Sequence, residues 1–273
     1  MSRSIRSRRG VTLVEVLVSI AIIAVLLTIL QPALLGARST ATQTECLATL
    51  KQIGHAIQMH TDRNGGFWLG SSEEEQPYVI DGAANTARLI RPLAWAVWWQ
   101  VRLEGILWER RETAASRYAV DPRTMCCPEV LRDFDEQTAW EQADFVSSRS
   151  FVLSPTLLTD PRAWALENHE AREDLPRHAR RLPVTIVRSP SAKVVLIETA
   201  DHHGTGAPLH LAERFNALLA DGSVRRLSRV ETREPLPFRW PDDGHHGNDA
   251  LVPGASRALP GLGTPLGAHG ADF

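Results

Sequence analysis

The sequence predicts an α+β fold in which one long N-terminal helix packs by its second half on an antiparallel β-sheet, with an extra helix and loops. Three observations carry this. From Val11 to Leu30 the only ionisable side chain is Glu15, so the chain opens with an apolar helix of twenty residues. Cys46, Leu47, Leu50, Ile53 and Ile57 then recur at spacings of one, three, three and four, the stripe of an amphipathic helix. Near residue 220, Asp221-Gly222 stands between two apolar runs, and Asp-Gly in that setting marks a tight hairpin because the turn needs positive φ. With 43% hydrophobic and 23% charged residues, the 273-residue chain has an ordinary globular composition, so the part beyond the helix should fold.

Arg3, Arg6, Arg8 and Arg9 precede the apolar run. Twenty residues at the helical rise make about 30 Å, one hydrocarbon thickness. Basic residues before the run predict a cytoplasmic N-terminus and a translocated head. A secretory signal peptide would place its small residue after the apolar core; here Gly10 lies before it, and cleavage there leaves the helix on the mature protein. Glu15 costs on the order of 2.5–3.5 kcal/mol in an apolar helix and so calls for a partner. Cutting after Gly10 supplies one, the new α-amino group at Val11 of a neighbouring subunit. Residues Arg9, Gly10, Val11, Thr12, Leu13, Val14 and Glu15 resemble the signal of type IV prepilins and pseudopilins: a short basic leader, Gly, a cleavage point, and a helix with Glu as fifth mature residue. Val11 stands where that family usually has Phe. The resemblance implies a pilin-like fold, processing by a prepilin peptidase, and assembly with other pilin or pseudopilin subunits.

Pro32 removes a helical hydrogen bond, so a kink is expected there, after which the helix should continue to about Thr61 and stop before Asn64-Gly65-Gly66. This divides the chain into a leader (1–10), a helix (11–62, with 11–30 in the membrane or filament core and 31–62 amphipathic), and a head (63–273). Cys46 through Leu50-Lys51-Gln52-Ile53-Gly54, with Gly65-Gly66-Phe67-Trp68 after it, is similar to the planctomycete-type prepilin family. Met125-Cys126-Cys127-Pro128 resembles a Cys-Pro turn of the same family. So does the hairpin: Asn216, Leu218, Ala220, Asp221, Gly222 and Val224 match its C-terminal signature, while His210 stands one position off the His-to-Asp-Gly spacing.

Elsewhere in the head, 71–90 reads as a solvated loop. Pro92 to Trp108 reads as a helix packing Trp95, Trp98, Trp99, Ile106 and Leu107 on the core. Ser147 to Leu158 reads as a strand with a turn at Pro155, and Ser191 to Thr199 as a buried strand. The charged, proline-containing stretch 160–190 reads as an exposed insertion or linker. The Gly/Pro-rich tail 235–273 lacks periodicity, yet its Gly-x-x-Gly-x-Asp-Phe ending resembles the same family and implies an ordered cover on the sheet.

A net charge of −2 gives no reason to expect a nucleic-acid partner. Arginine outnumbers lysine heavily, Lys51 and Lys193 being the only lysines. Three cysteines allow a Cys46 bridge to Cys126 or Cys127 in an oxidising compartment, and no paired-Cys zinc pattern is present. No Gly-x-Ser-x-Gly elbow and no cysteine with a recognisable His partner stands out. Asp201-His202-His203 lacks the further aspartates of a metal phosphoesterase and reads as a polar loop. His202, His203, His210, His245 and His246 with Asp242, Asp243 and Asp249 could gather round a metal. Calcium would suit the three aspartates best; otherwise no cofactor is expected. The function expected is structural, a prepilin or pseudopilin of the inner membrane with a periplasmic head, serving a type IV pilus or type II secretion. The alternative is a membrane-tethered periplasmic binding or metal-dependent hydrolytic domain, whose mark would be a polar pocket gathering His202, His203, His210 and His245.

Overall fold

The computed structural model describes residues 13–70, 78–81, 87–90, 99–103, 105–107, 122–135, 150–168, 170–171, 175–208, 211–232, 238–239, 256–257 and 272. The chain divides into two compact units, 1–43 and 44–273. Helix α1 (Leu13–Arg63) provides the described part of the first and the opening element of the second.

In the first unit α1 runs through Pro32 without a break, and its apolar residues are exposed all round: Leu13, Val14, Leu17, Ile20, Ile23, Leu27 and Leu30 are each more than half accessible. Among the described residues it is the one helix long and apolar enough to cross a membrane. So much apolar surface is stable only where lipid or another apolar surface covers it.

In the second unit, α1 buries Cys46, Thr49, Leu50, Ile53, Ala56, Ile57 and Thr61, the face the periodicity predicts. The helix ends at Arg63, where the amide of Gly66 bonds the carbonyl of Thr61 and Gly65 takes positive φ. The head's strands are β1 (Tyr78–Asp81), β2 (Ala87–Ile90), β3 (Phe151–Leu153), β4 (Val194–Glu198), β5 (Arg214–Leu219), β6 (Val224–Ser228), β7 (Phe238–Arg239) and β8 (Ser256–Arg257). The central sheet has the order β3-β4-β5-β6 and is antiparallel throughout; β1–β2 and β7–β8 are separate two-stranded ribbons. A long helix with a four-stranded antiparallel sheet is an α+β, pilin-like fold.

All five residues of β4 are buried, so the strand is covered on both faces. Strand alternation puts Leu196 and Glu198 with their neighbours Leu218 and Asn216 on the face met by α1. Close approach there needs Gly54: a Cβ added to it would lie 2.7 Å from Leu218 Cδ1. Each fully buried Leu or Ile of this interface contributes about 1.5–3 kcal/mol of transfer free energy. The β5–β6 connection turns at Asp221-Gly222, with Gly222 at φ 78° and the Asp221 carboxylate accepting from the Ser223 amide. Lys51 Nζ donates to the Gly222 carbonyl at 2.7 Å, fastening the turn to the helix.

Several expectations are corrected. The stretch 160–190 is no exposed insertion: Ala163, Trp164, Leu182 and Val187 join the core, and Trp164 Nε1 donates to Thr159 Oγ1. The amides of Trp68 and Val184 bond the carbonyls of Leu182 and Gly66, so the stretch is stitched to the turn after α1. Its charges mislead because they sit on a frame of buried apolar residues spaced too irregularly to show a period. The loop expected at 71–90 contains the β1–β2 ribbon. Of the helix expected at 92–108, the described parts are a short 3₁₀ turn, Trp99–Leu103, and a turn at 105–107; Trp99 is buried and donates to the Phe151 carbonyl. Trp95 and Trp98 lie outside the described residues.

The end of the tail does dock. Asp272 is fully buried; its carboxylate accepts from Lys193 Nζ at 2.9 Å and from the Val194 amide at 2.7 Å, while its own amide donates to the Ala192 carbonyl. Burial pulls the Lys193 pKa below its ordinary value, with the Asp272 carboxylate pulling it back. Removing one partner strands the other charge, so Lys193→Met or Asp272→Ala should each cost about 3–5 kcal/mol, and the double variant Lys193→Met/Asp272→Leu less than the two together. Urea unfolding of the full-length chain in detergent checks this.

Candidate functional site

Two places carry functional chemistry. The first is the N-terminal segment. Arg9, Gly10 and Val11 lie outside the described residues. Glu15 stands on the exposed first turns of α1, its carbonyl accepting from Ser19 Oγ at 2.7 Å, in a surface made mostly of valine, leucine and isoleucine.

The second is a buried polar centre. The Glu198 side chain, 2% exposed, ends β4 and faces the second half of α1. Its Oε2 accepts from the Asn216 amide at 2.7 Å, and its Oε1 accepts from Asn216 Nδ2 at 3.1 Å and from the Cys46 thiol at 3.0 Å. His203 Nε2 lies 3.3 Å from the same Oε1 and 3.3 Å from Cys127 Sγ. The four donor atoms of Cys46, Cys127, Glu198 and His203 all fall within 4.8 Å of one another. None of the three cysteines is in a disulfide.

Each group is placed by local structure. Cys46 lies on the buried stripe of α1. Cys127 precedes Pro128, which starts the short helix α2 (Pro128–Leu131) at a position where proline loses nothing; the Cys127 amide is held by Ser150 Oγ. His203 sits in a turn shaped by Asp201, whose carboxylate accepts from the Thr205 amide and from Arg226.

The electrostatics follow from crowding. The neighbouring Cys46 thiol lowers Cys127 to about 6 against the cost of burial, with His203 helping. The same contact, burial and the Glu198 charge push Cys46 far upward, so it stays protonated. Burial opposes charge on His203, but its contacts with Cys127 and Glu198 outweigh that and raise it to about 10. Burial likewise opposes the Glu198 carboxylate, and the contacts of His203, Cys46 and Asn216 prevail to lower its pKa. Without a bound cation the centre holds a thiolate and a carboxylate round one imidazolium. His203 Nδ1 has no partner among the described residues.

Residues 5–30 match the family model described as the prokaryotic N-terminal methylation motif. The chain is prepilin-like at its N-terminus. No curated protein and no solved structure matches the chain. The prepilin-like motif points to a structural, pilin-type protein, implies a peptidase that processes it and pilins that assemble with it, and accords with α1 as a single-pass anchor.

Of the remaining residues singled out from sequence, Asn216 is buried against Glu198, and Asp221 and Gly222 make the hairpin turn. His210, His245, His246, Asp242, Asp243 and Asp249 lie outside the described residues. His202 lies by Thr199, 3.4 Å from its hydroxyl. The expectation that no cysteine has a histidine partner is corrected by Cys127 and His203. Sequence spacing hid the pair because 76 positions separate them. One signal was available, the single carboxylate ending the otherwise apolar Val194-Val195-Leu196-Ile197-Glu198.

Cys127, depressed below its ordinary value, contributes stability that is complete above pH 9 and lost as pH falls through about 6. His203, raised, contributes stability that is complete below pH 6.5 and lost as pH rises through about 10. In chelator-treated, reduced protein at pH 8, thiolate absorbance in the ultraviolet should therefore be present and fade as pH drops through about 6. Cys127→Ser should abolish that transition.

Proposed function

We propose that the protein is a structural filament subunit, a prepilin or pseudopilin cut between Gly10 and Val11 by a prepilin peptidase. It assembles into a type IV pilus-like filament or the pseudopilus of type II secretion. The observation that carries this reading is the methylation-motif match over residues 5–30, whose described part, 13–30, is a helix with apolar side chains exposed on every side.

Each residue has a physical role in it. The leader arginines hold the N-terminus on the cytoplasmic side while the head crosses to the periplasm. Gly10, without a side chain, lets the scissile backbone enter the peptidase. Val11–Leu30 first anchors the subunit in the inner membrane and then packs against the same segment of its neighbours. Glu15 sets the register of that packing by pairing with the Val11 amine of the next subunit, a charge pair favoured by the apolar surroundings. The head, with its own sheet and core, gives the filament its outer surface.

N-terminal mass spectrometry of the protein extracted from its own membranes should find a mature chain starting at Val11; an intact leader would sink the reading. In cells lacking the wild-type gene, Glu15→Gln should reach the membrane in normal amount and be processed, yet reduce filament incorporation about tenfold, the equivalent of 1.4 kcal/mol. Filament fractions probed with antibody to the head would measure this, and undiminished incorporation would contradict the pairing role.

A further inference from the structure

We propose that Cys46, Cys127, Glu198 and His203 form a structural zinc site that clamps the second half of α1 to the sheet of the head. The inference does not depend on filament assembly; it rests on donor chemistry and geometry. Two thiols, an imidazole nitrogen and a carboxylate oxygen make a four-ligand set of the kind zinc takes, and the sulfur and nitrogen donors favour zinc over calcium or magnesium.

The spacing fits as well. A tetrahedral zinc with bonds of about 2.0–2.3 Å has ligand-to-ligand edges of about 3.3–3.8 Å. The separations here are 3.0 Å for Cys46 Sγ to Glu198 Oε1, 3.3 Å for His203 Nε2 to Glu198 Oε1, and 3.3 Å for Cys127 Sγ to His203 Nε2. These three edges are within tenths of an ångström of the tetrahedral values, and all four donor atoms lie within 4.8 Å of one another. Cys46 and Cys127 are fully buried and the side chains of Glu198 and His203 are 2% and 1% exposed, so no face is left for substrate and the site is of the closed, structural type.

The four ligands come from four segments: α1, the turn before α2, the end of β4 and the loop after it. One ion therefore closes two loops of roughly seventy to eighty residues, Cys46 to Cys127 and Cys127 to Glu198, and a short one from Glu198 to His203, which constrains the unfolded chain strongly. Charge and protons balance: the Cys46 proton and the Nε2 proton of His203 pass to solvent, and three anionic ligands round a divalent ion leave −1. No electron moves. The Asn216 amide, already on Glu198 Oε2, orients the carboxylate so that Oε1 faces the ion.

The test uses the full-length chain purified in detergent under reducing conditions. Elemental analysis should find about one zinc per chain. Dialysis against chelator should remove it and lower the thermal midpoint, and zinc alone should restore both. Cobalt(II) loaded in its place should give the visible absorption of a tetrahedral thiolate site. Cys127→Ser and His203→Ala should each weaken zinc binding at least tenfold, while Cys126→Ser, altering the adjacent cysteine outside the cluster, should bind as wild type. Should the thiolate variants unfold, the cobalt spectrum of the wild-type chain still decides. Failure of the reduced, chelated protein to take up zinc or cobalt would overturn the proposal. So would finding that only one of three thiols reacts in denaturant without reductant, since a disulfide between any two of Cys46, Cys126 and Cys127 consumes at least one ligand.

Discussion

The head depends on a buried carboxylate being kept charged. Glu198 ends a strand whose other residues are apolar, and isolating such a charge from water costs several kcal/mol unless every lone pair is answered. Here the answers come from different parts of the chain: the Asn216 amide and side chain on β5, the Cys46 thiol on α1, and His203 in the loop after β4. The Asn216 amide bonds a side-chain oxygen at the end of β4, next to the Ile197–Ala217 pair. Helix, sheet and the turn at Cys127 are thereby brought to one point, and the surrounding apolar contacts take their register from it.

One helix carries two kinds of surface. Up to about Leu35 the side chains of α1 are mostly apolar and accessible on all faces; from Thr42 onward a single face is buried and the rest is mostly polar. The change in periodicity, from uniformly apolar to striped, marks where the helix passes from an exposed apolar element to part of a folded head. Lys51 and Gly54 show how tightly the second part is fitted, one reaching the hairpin carbonyl and the other permitting contact with Leu218. The two lysines of the chain are both committed to structure, Lys51 to the turn and Lys193 to Asp272. Composition alone offered no hint of this.

What was legible in the sequence was what repeats or what turns. The apolar run, the stripe from Cys46 to Ile57 and the Asp221-Gly222 hairpin depend on local chemistry, and each is found in the structure. The core contribution of 160–190 was not legible, because its buried residues, Ala163, Trp164, Leu182 and Val187, are dispersed among charges and held by pairing to residues 66–68, far away in sequence. The polar centre was legible only in pieces. Cys46, Cys127 and His203 were each noticed for some other chemistry, and nothing in their spacing brings them together; only the fold does. Glu198 alone was anomalous where it stood, a carboxylate in a buried strand.

The central claim, that Glu198 joins helix to sheet, is tested most directly by amide hydrogen exchange on the full-length chain carrying Glu198→Ala, compared with wild type in the same detergent. The account predicts faster exchange at once in residues 44–63 of α1 and in β4 and β5, because all three lose a shared anchor. Acceleration confined to the residues flanking position 198, with the helix as protected as before, would contradict it.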